Sequence, residues 1–269
     1  MKRNKKKLPK SELIRRILMA VLVVVAVLSL GYFSLYSQKT TESTNNTQKL
    51  SNLKNTDYVL FKPKRATVTV DDPLEPPDVL DDYVTLHNKN KSLIGWIKIA
   101  DTIIDYPVMQ SPNMEYYLDH NFEQEKDRNG CLFIDSECSI WPQSQNIIIY
   151  GHNMKSGKMF GSLTNYKSES YFKKHPEIQF DTIYEKGTYK VMYVFSEVVH
   201  EETEVTFKYY QFINANSEEE YDSYMHDMSE MSLYDTGVKS RFGDRLITLS
   251  TCDYVKGGER WVVVAKKIK

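Results

Sequence analysis

One cysteine stands where a nucleophile could act. Cys252 ends a strand-like run that starts at Leu246, and a polar loop follows it. A cysteine attacks as its thiolate, so a catalytic cysteine needs a neighbouring base or cation. Arg260 begins the next strand-like run, and pairing of the two runs as a hairpin would bring both residues to the same end. There the guanidinium could stabilise a thiolate or the oxyanion of acyl transfer; alternatively, Arg260 is an ordinary surface residue.

One histidine has the placement of a catalytic base. His152 follows the buried-type strand residues 147–150 and Gly151, and a loop follows it before a helix predicted at 160–166. Strand ends beside loops are common catalytic positions. Most of the other five histidines are expected to be solvated. A histidine and a cysteine on two strand ends, with an arginine beside the cysteine, would form a site suited to acyl transfer.

The remaining cysteines, Cys131 and Cys138, have no assigned role. An exported chain with three cysteines keeps at least one thiol outside intramolecular disulfides. Cys131 lies in a predicted strand and Cys138 in the loop after it, and packed or incidental thiols are expected there. The sequence has no CxxC zinc spacing and no HExxH motif, so metal catalysis has little support and no cofactor is expected.

The elements around these residues are mostly strands. Short runs rich in Val, Ile, Tyr and Phe occur at 96–99, 103–109, 131–135, 146–150, 189–199, 205–213, 246–252 and 260–266. Residues 185–187 predict a hairpin turn between two such runs. Asp78 could cap a short helix, and Ser217 with the acids after it predicts another. Strands without regular helical crossovers favour an antiparallel barrel or sandwich, so the fold class is mostly β with accessory helices.

The N-terminal region predicts a membrane anchor. Residues 1–16 hold eight Lys and Arg against one acid, and residues 17–36 form an uncharged apolar run of twenty. A helix of that length spans about 30 Å, the thickness of a bilayer core. The basic flank predicts a cytoplasmic N-terminus and an extracellular remainder. The run is longer than the apolar part of a signal peptide, the alternative. Residues 37–77 predict a polar, flexible stalk, and 78–269 a single folded domain.

The charge of the chain is divided unevenly. Without residues 1–16, the totals of 35 basic and 36 acidic side chains fall to 27 and 35, a net charge of −8. An acidic body argues against a nucleic-acid partner, whose phosphates need a basic footprint.

Several motifs in order resemble the sortases, the membrane-anchored cysteine transpeptidases of Gram-positive bacteria. The segment 248–252 (TLSTC) is similar to the family's cysteine signature, 150–154 (YGHNM) to its histidine motif, and Arg260 stands where its arginine follows. Other stretches resemble the class B branch: 95–99 (GWIKI), 104–108 (IDYPV), 116–118 (YYL), 159–163 (MFGSL) and 232–237 (SLYDTG).

The resemblance implies a closed sortase-type β-barrel with flanking helices, and roles for five residues. Cys252 would attack the carbonyl after the threonine of a sorting pentapeptide, NPQTN-like or (S/N/P)PxTG-like, and form a thioester. His152 would protonate the leaving amine, and Arg260 would hold the substrate and stabilise the oxyanion. Ser250 and Leu118 match positions that line the substrate groove.

The partners that the resemblance implies are secreted proteins with a C-terminal sorting signal, together with an acceptor amine on a peptidoglycan precursor or a pilin. Two other functions remain open at this stage. One is a hydrolytic cysteine peptidase of the cell surface, and the other is a non-catalytic, membrane-tethered β-domain.

Overall fold

A computed structural model describes residues 10–54, 75–198, 207–252 and 259–269, without the side chains of Thr40, Ser43 and Cys252. The chain divides into two units, residues 1–48 and 49–269. The described helices are α1 (Lys10–Lys54), α2 (Asp81–Lys89), α3 (Glu169–Lys174) and α4 (Glu218–Met231), with 3₁₀ turns at Tyr116–Leu118, Gly161–Lys167 and Tyr209–Gln211. The strands are β1 (Leu93–Lys98), β2 (Asp105–Met109), β3 (Leu132–Ile134), β4 (Asn146–His152), β5 (Glu177–Thr182), β6 (Thr188–Val198), β7 (Leu246–Cys252) and β8 (Glu259–Lys267).

The eight strands close into a barrel in the order β1-β2-β3-β4-β7-β8-β6-β5, and β5 pairs back onto β1. All neighbouring pairs are antiparallel except β2–β3 and β4–β7, which are parallel. The expected mostly β fold with a closed barrel and flanking helices is therefore confirmed. The hairpin predicted at 185–187 joins β5 to β6, where Gln179 pairs with Thr188.

Strands β7 and β8 are buried on both faces because two apolar clusters cover them. Along β8, Val263 and Ala265 belong to the larger cluster, whereas Val262 and Val264 belong to a smaller one that includes α4 residues. Successive side chains of a strand point to opposite faces, so the uninterrupted apolar run of β8 serves both clusters. The two strands that carry Cys252 and Arg260 are therefore packed against apolar side chains on both faces.

The strand predicted at 205–213 is wrong over residues 207–213; residues 205 and 206 lie outside the described part. A 3₁₀ turn at Tyr209–Gln211 occupies this segment. Its backbone bonds to the first residue of β4 instead of joining the sheet: the Asn146 side chain donates to the Phe212 carbonyl (2.7 Å), and the Asn146 backbone N–H donates to that of Ile213 (2.9 Å). The aromatic side chains of Tyr209 and Phe212 pack in the smaller cluster.

The predicted helices are present with shifted bounds. Helix α2 begins at Asp81, not at Asp78, because Leu80 is still extended and its N–H donates to the Ile183 carbonyl at 2.8 Å. The Ser217 cap of α4 is confirmed, since its Oγ accepts from the Glu220 N–H at 3.2 Å. The helix predicted at 160–166 is the 3₁₀ turn at Gly161–Lys167.

Helix α1 contains the predicted membrane span, and it is the one described helix long and apolar enough to cross a bilayer by length and composition. It continues to Lys54, so the first part of the predicted flexible stalk is helical. The helix end packs on the domain: Leu50 is buried in the larger cluster, and the Lys54 Nζ lies 5.3 Å from the Trp96 ring centroid. Residues 55–74 of the stalk lie outside the described residues, and the domain boundaries stay a prediction.

Candidate active site

The parallel pairing of β4 with β7 places His152 next to Cys252. The two strands pair residue for residue from Asn146 with Leu246 to His152 with Cys252, the last residue of each strand. Two residues 100 positions apart in the sequence are therefore backbone neighbours at one end of the barrel.

The antiparallel pairing of β7 with β8 brings Arg260 to the same end. Its last recorded pair is Ser250 with Val262, and two more residues of this register place Cys252 opposite Arg260. The Trp261 N–H donates to the Thr251 Oγ1 at 2.9 Å, which holds the two strand ends together there. The backbones of His152, Cys252 and Arg260 thus lie on three successive strands at the same level.

The guanidinium of Arg260 lies over an aromatic ring from β4. Its Cζ is 6.0 Å from the centroid of the Tyr150 ring, within the range of a cation–π contact. Tyr150 stands two residues before His152 on the same face of the strand, and its hydroxyl donates to the Asp135 Oδ2 at 3.1 Å. Burial and the Asp135 carboxylate raise the pKa of Tyr150, so the phenol stays a neutral donor. The sequence analysis did not predict Tyr150 as a site residue. Its position two residues before His152 on one strand nevertheless places both residues on the same face.

The imidazole of His152 is buried, with 2% exposure, and a backbone carbonyl holds it. Its Nε2 lies 2.6 Å from the carbonyl oxygen of Leu118. A carbonyl only accepts hydrogen bonds, so Nε2 carries the proton, and Nδ1 is the basic nitrogen of the neutral ring. Burial lowers the pKa of His152, and the hydrogen bond to Leu118 offsets part of this effect. The ring is therefore neutral near pH 7 and able to accept a proton.

Ser250 and Leu118, the two residues predicted to line a substrate groove, differ in burial and in their contacts. Ser250 is fully buried, and its Oγ lies 2.8 Å from the hydroxyl oxygen of Tyr209. Leu118 is half-buried and contacts His152 through its carbonyl. The sequence analysis did not identify Tyr209 as a neighbour of the site, because the composition of its segment is that of a strand. The assignment of Ser250 and Leu118 to a groove stays a prediction.

The other histidines are less exposed than expected. His87, His120 and His175 are half-buried, each with a ring nitrogen about 3 Å from a backbone carbonyl, and His226 is exposed. His200 lies outside the described residues. Among the described residues, no group of three or more His, Cys, Asp or Glu side chains is arranged to hold a metal ion.

Cys131 and Cys138 are buried thiols, and neither is in a disulfide. The Sγ of Cys138 donates to the Asn146 carbonyl at 3.6 Å and accepts from the Ile148 N–H at 3.5 Å. Burial raises the pKa of Cys138 to about 12 and that of Cys131 further. Both are therefore protonated, inert packing groups at neutral pH.

We expect the folded Cys252→Ala variant to take up no iodoacetamide at pH 8, because Cys131 and Cys138 are then its remaining cysteines and both are inaccessible thiols. In guanidinium chloride the same variant should take up two equivalents. Intact-mass spectrometry measures both. Labelling of the folded variant at the rate of the denatured chain would contradict the burial of these side chains.

A family model described as the sortase domain matches residues 97–268. Two curated proteins named sortase B are similar in sequence. That of Listeria monocytogenes is 36% identical over 186 residues, which cover 68% of this chain and 72% of that protein. That of Staphylococcus aureus is 31% identical over 189 residues, which cover 70% and 75%.

Solved structures agree with the sequence relatives. The structure of sortase B from Bacillus anthracis in complex with AAEK1 has a TM-score of 0.69 and 31% identity. A Staphylococcus aureus sortase B–substrate complex has a TM-score of 0.72 and 27% identity. Each alignment covers 86% of this chain and 99% of the other. Both structures therefore have the same overall fold as this chain.

Proposed function

This chain belongs to the sortase family, whose members are cysteine transpeptidases. We propose that it catalyses this reaction with His152, Cys252 and Arg260 and acts on proteins that carry a sorting motif. The proposed reaction cleaves a C-terminal sorting motif after its threonine and transfers the new acyl end to an amine of the cell wall or of a pilin. The observation that supports it most is the strand register, which pairs His152 with Cys252 and, continued by two residues beyond Ser250 and Val262, brings Arg260 to the same strand ends.

The first half-reaction forms a thioester. The neutral imidazole of His152 takes the proton of the Cys252 thiol, and the sulfur attacks the threonine carbonyl carbon. The resulting tetrahedral oxyanion collapses with cleavage of the C–N bond, and the imidazolium gives its proton to the departing amine. The product is an acyl-enzyme joined through a C–S bond.

The second half-reaction runs in the opposite direction with a new amine. His152 accepts a proton from the incoming amine as its nitrogen attacks the thioester carbon. The C–S bond breaks, a C–N bond forms, and the proton returns to the sulfur. A histidine that is neutral at pH 7 suits this alternation between base and acid.

Arg260 is the proposed group for substrate binding and oxyanion stabilisation. Its guanidinium is a cation at physiological pH, and it lies over the ring of Tyr150 on β4, the strand that ends at His152. A fixed donor aimed at a developing oxyanion is often the largest electrostatic contribution to acyl transfer. Ser250 and Leu118 are proposed to line the groove that receives the sorting peptide.

The proposed location is the outer face of the cell membrane, with residues 17–36 as a single-pass anchor and residues 1–16 in the cytoplasm. The apolar content of α1 and the basic residues before it support this orientation. Secreted proteins with sorting signals and an acceptor amine of the cell wall would reach the catalytic domain from that side.

The function is tested with residues 37–269 and a panel of fluorescent sorting pentapeptides, NPQTN-like and (S/N/P)PxTG-like, with hydroxylamine as the acceptor. We expect cleavage after the threonine of at least one peptide and a hydroxamate product that increases with hydroxylamine concentration, both read by mass spectrometry. A carboxylate product that hydroxylamine does not divert would indicate a hydrolytic peptidase instead. Absence of any product from the folded protein across the panel would contradict the proposal.

A further inference from the structure

A 3₁₀ turn from a distant part of the chain orients the imidazole of His152. The turn Tyr116–Leu118 lies 34 residues before the histidine, and its last residue supplies the carbonyl oxygen 2.6 Å from Nε2. The hydrogen bond to this oxygen favours the tautomer with the proton on Nε2. The residues that fix the turn therefore affect the acid–base group without contact with it.

The turn packs against the residues that lead into β3. The Cys131 N–H donates to the Tyr117 carbonyl at 2.9 Å, and the Gly130 N–H donates to the Asp127 carbonyl at 2.9 Å. Gly130 has a φ of +59°, a left-handed conformation that residues with a Cβ rarely adopt. This conformation closes the Asp127–Gly130 turn and directs the Cys131 N–H to its acceptor.

Gly130 also has no room for a side chain. A Cβ there would overlap the carbonyl oxygen of Tyr117 and would lie 2.8 Å from that of Leu118. Both are backbone atoms, so neither can rotate away as the end of a side chain could. A Cβ at this position therefore requires the backbone to shift where the 3₁₀ turn meets residue 130, and the Leu118 carbonyl lies at that contact.

We propose that Gly130 is a positioning residue for His152: its missing side chain lets the Tyr116–Leu118 turn approach the segment that leads into β3, and this contact places the Leu118 carbonyl on Nε2. The inference rests on the proposed acid–base role of His152. Displacement of the carbonyl releases the ring to change its tautomer or rotate, and Nδ1 is then no longer the basic nitrogen for part of the time. Partners that fix the orientation of a functional histidine commonly matter in this way.

The test compares Gly130→Ala with Gly237→Ala. Gly237 has a similar left-handed φ of +72°, but a Cβ there would meet no atom within 4 Å. The two variants therefore share the backbone strain of a left-handed alanine, and only Gly130→Ala moves the turn. The readouts are the ¹⁵N spectrum of histidine-labelled protein, which reports the tautomer of His152, and the separate values of kcat and KM for a cleaved pentapeptide.

In the parent protein and in Gly237→Ala we expect a His152 signal in which Nε2 carries the proton and Nδ1 does not. In Gly130→Ala the two nitrogen shifts should move towards each other as both tautomers become populated. The kcat should fall by about tenfold or more while KM changes by less than about threefold, because a misplaced catalytic group affects the chemical step. An unchanged imidazole spectrum in folded Gly130→Ala would overturn the proposal, as would an equal change in Gly237→Ala.

If Gly130→Ala does not fold, Asp127→Ala replaces it. The Asp127 Oδ1 accepts from the Asn129 N–H at 2.9 Å, so its removal loosens the same turn without adding an atom. A shift of the His152 tautomer supports the proposal, and an unchanged one contradicts it. Because the ¹⁵N readout needs no substrate, it tests the positioning role even if the peptide panel yields no product.

Discussion

The Cys252→Ala variant is expected to form no acyl-enzyme and to release no product from any sorting peptide, within the detection limit of the assay. Its only loss is the sulfur, and the barrel gives no other thiol to replace it: Cys131 and Cys138 are buried, and burial raises the pKa of both. Intact-mass spectrometry after incubation with the peptide measures the thioester, and peptide mapping locates it. The proteins are quenched in acid, where thioesters persist.

The matched control is Cys138→Ala, which also removes one thiol but lies away from the β7 end. It should still form the acyl-enzyme, at a rate within about threefold of the parent, because the Cys138 sulfur makes only weak hydrogen bonds to β4, which serve packing. A thioester in Cys252→Ala, or its loss in Cys138→Ala alone, would assign the nucleophile to a different cysteine.

The sequence predicted the members of the site better than their arrangement. Cys252 and His152 each end an apolar run, which local patterning reveals. Their two strands, however, are parallel neighbours whose ends match. This arrangement depends on the strand order of the barrel, in which β7 lies between β4 and β8. Only a resemblance to known motifs could supply this pairing in advance, because two strands 100 residues apart carry no local sign of their register.

The errors have a common physical cause, which is tertiary contact that overrides local pattern. The aromatic segment at 207–213 has the composition of a strand, yet Asn146 binds its carbonyls and the segment packs as a 3₁₀ turn. The polar end of α1 has the composition of a flexible stalk, but Leu50 gains a buried position in the larger cluster. The proposed link from Gly130 through Leu118 to His152 likewise depends on tertiary contact, because Gly130 belongs to no motif that the sequence analysis used.

Replacement of His152 by alanine is expected to lower kcat/KM for peptide cleavage by about a thousandfold, the usual size of general acid–base catalysis. The thiol loses its base, and the departing amine loses its proton donor. Stopped assays with the best pentapeptide of the panel measure the rate, and His226→Ala is the control because that side chain is exposed. A loss below about tenfold would assign the proton transfer to another group.

The pH dependence has a definite sign. Burial lowers the pKa of His152 below its usual value of about 6.5, so in the parent enzyme the acid limb of kcat/KM should lie below pH 6.5. The unfolded chain, with the higher pKa, binds the proton first as the pH falls. The free energy of unfolding should therefore fall with acid from about pH 6.5 down to the folded-state pKa, and lose nothing further from this group below it.

His152→Gln removes this contribution, whereas His87, whose pKa burial also lowers, is present in both proteins. Urea unfolding at pH 7.5 and 5.5 should show a smaller acid loss for His152→Gln than for the parent; equal losses would mean that the imidazole is not held neutral by burial.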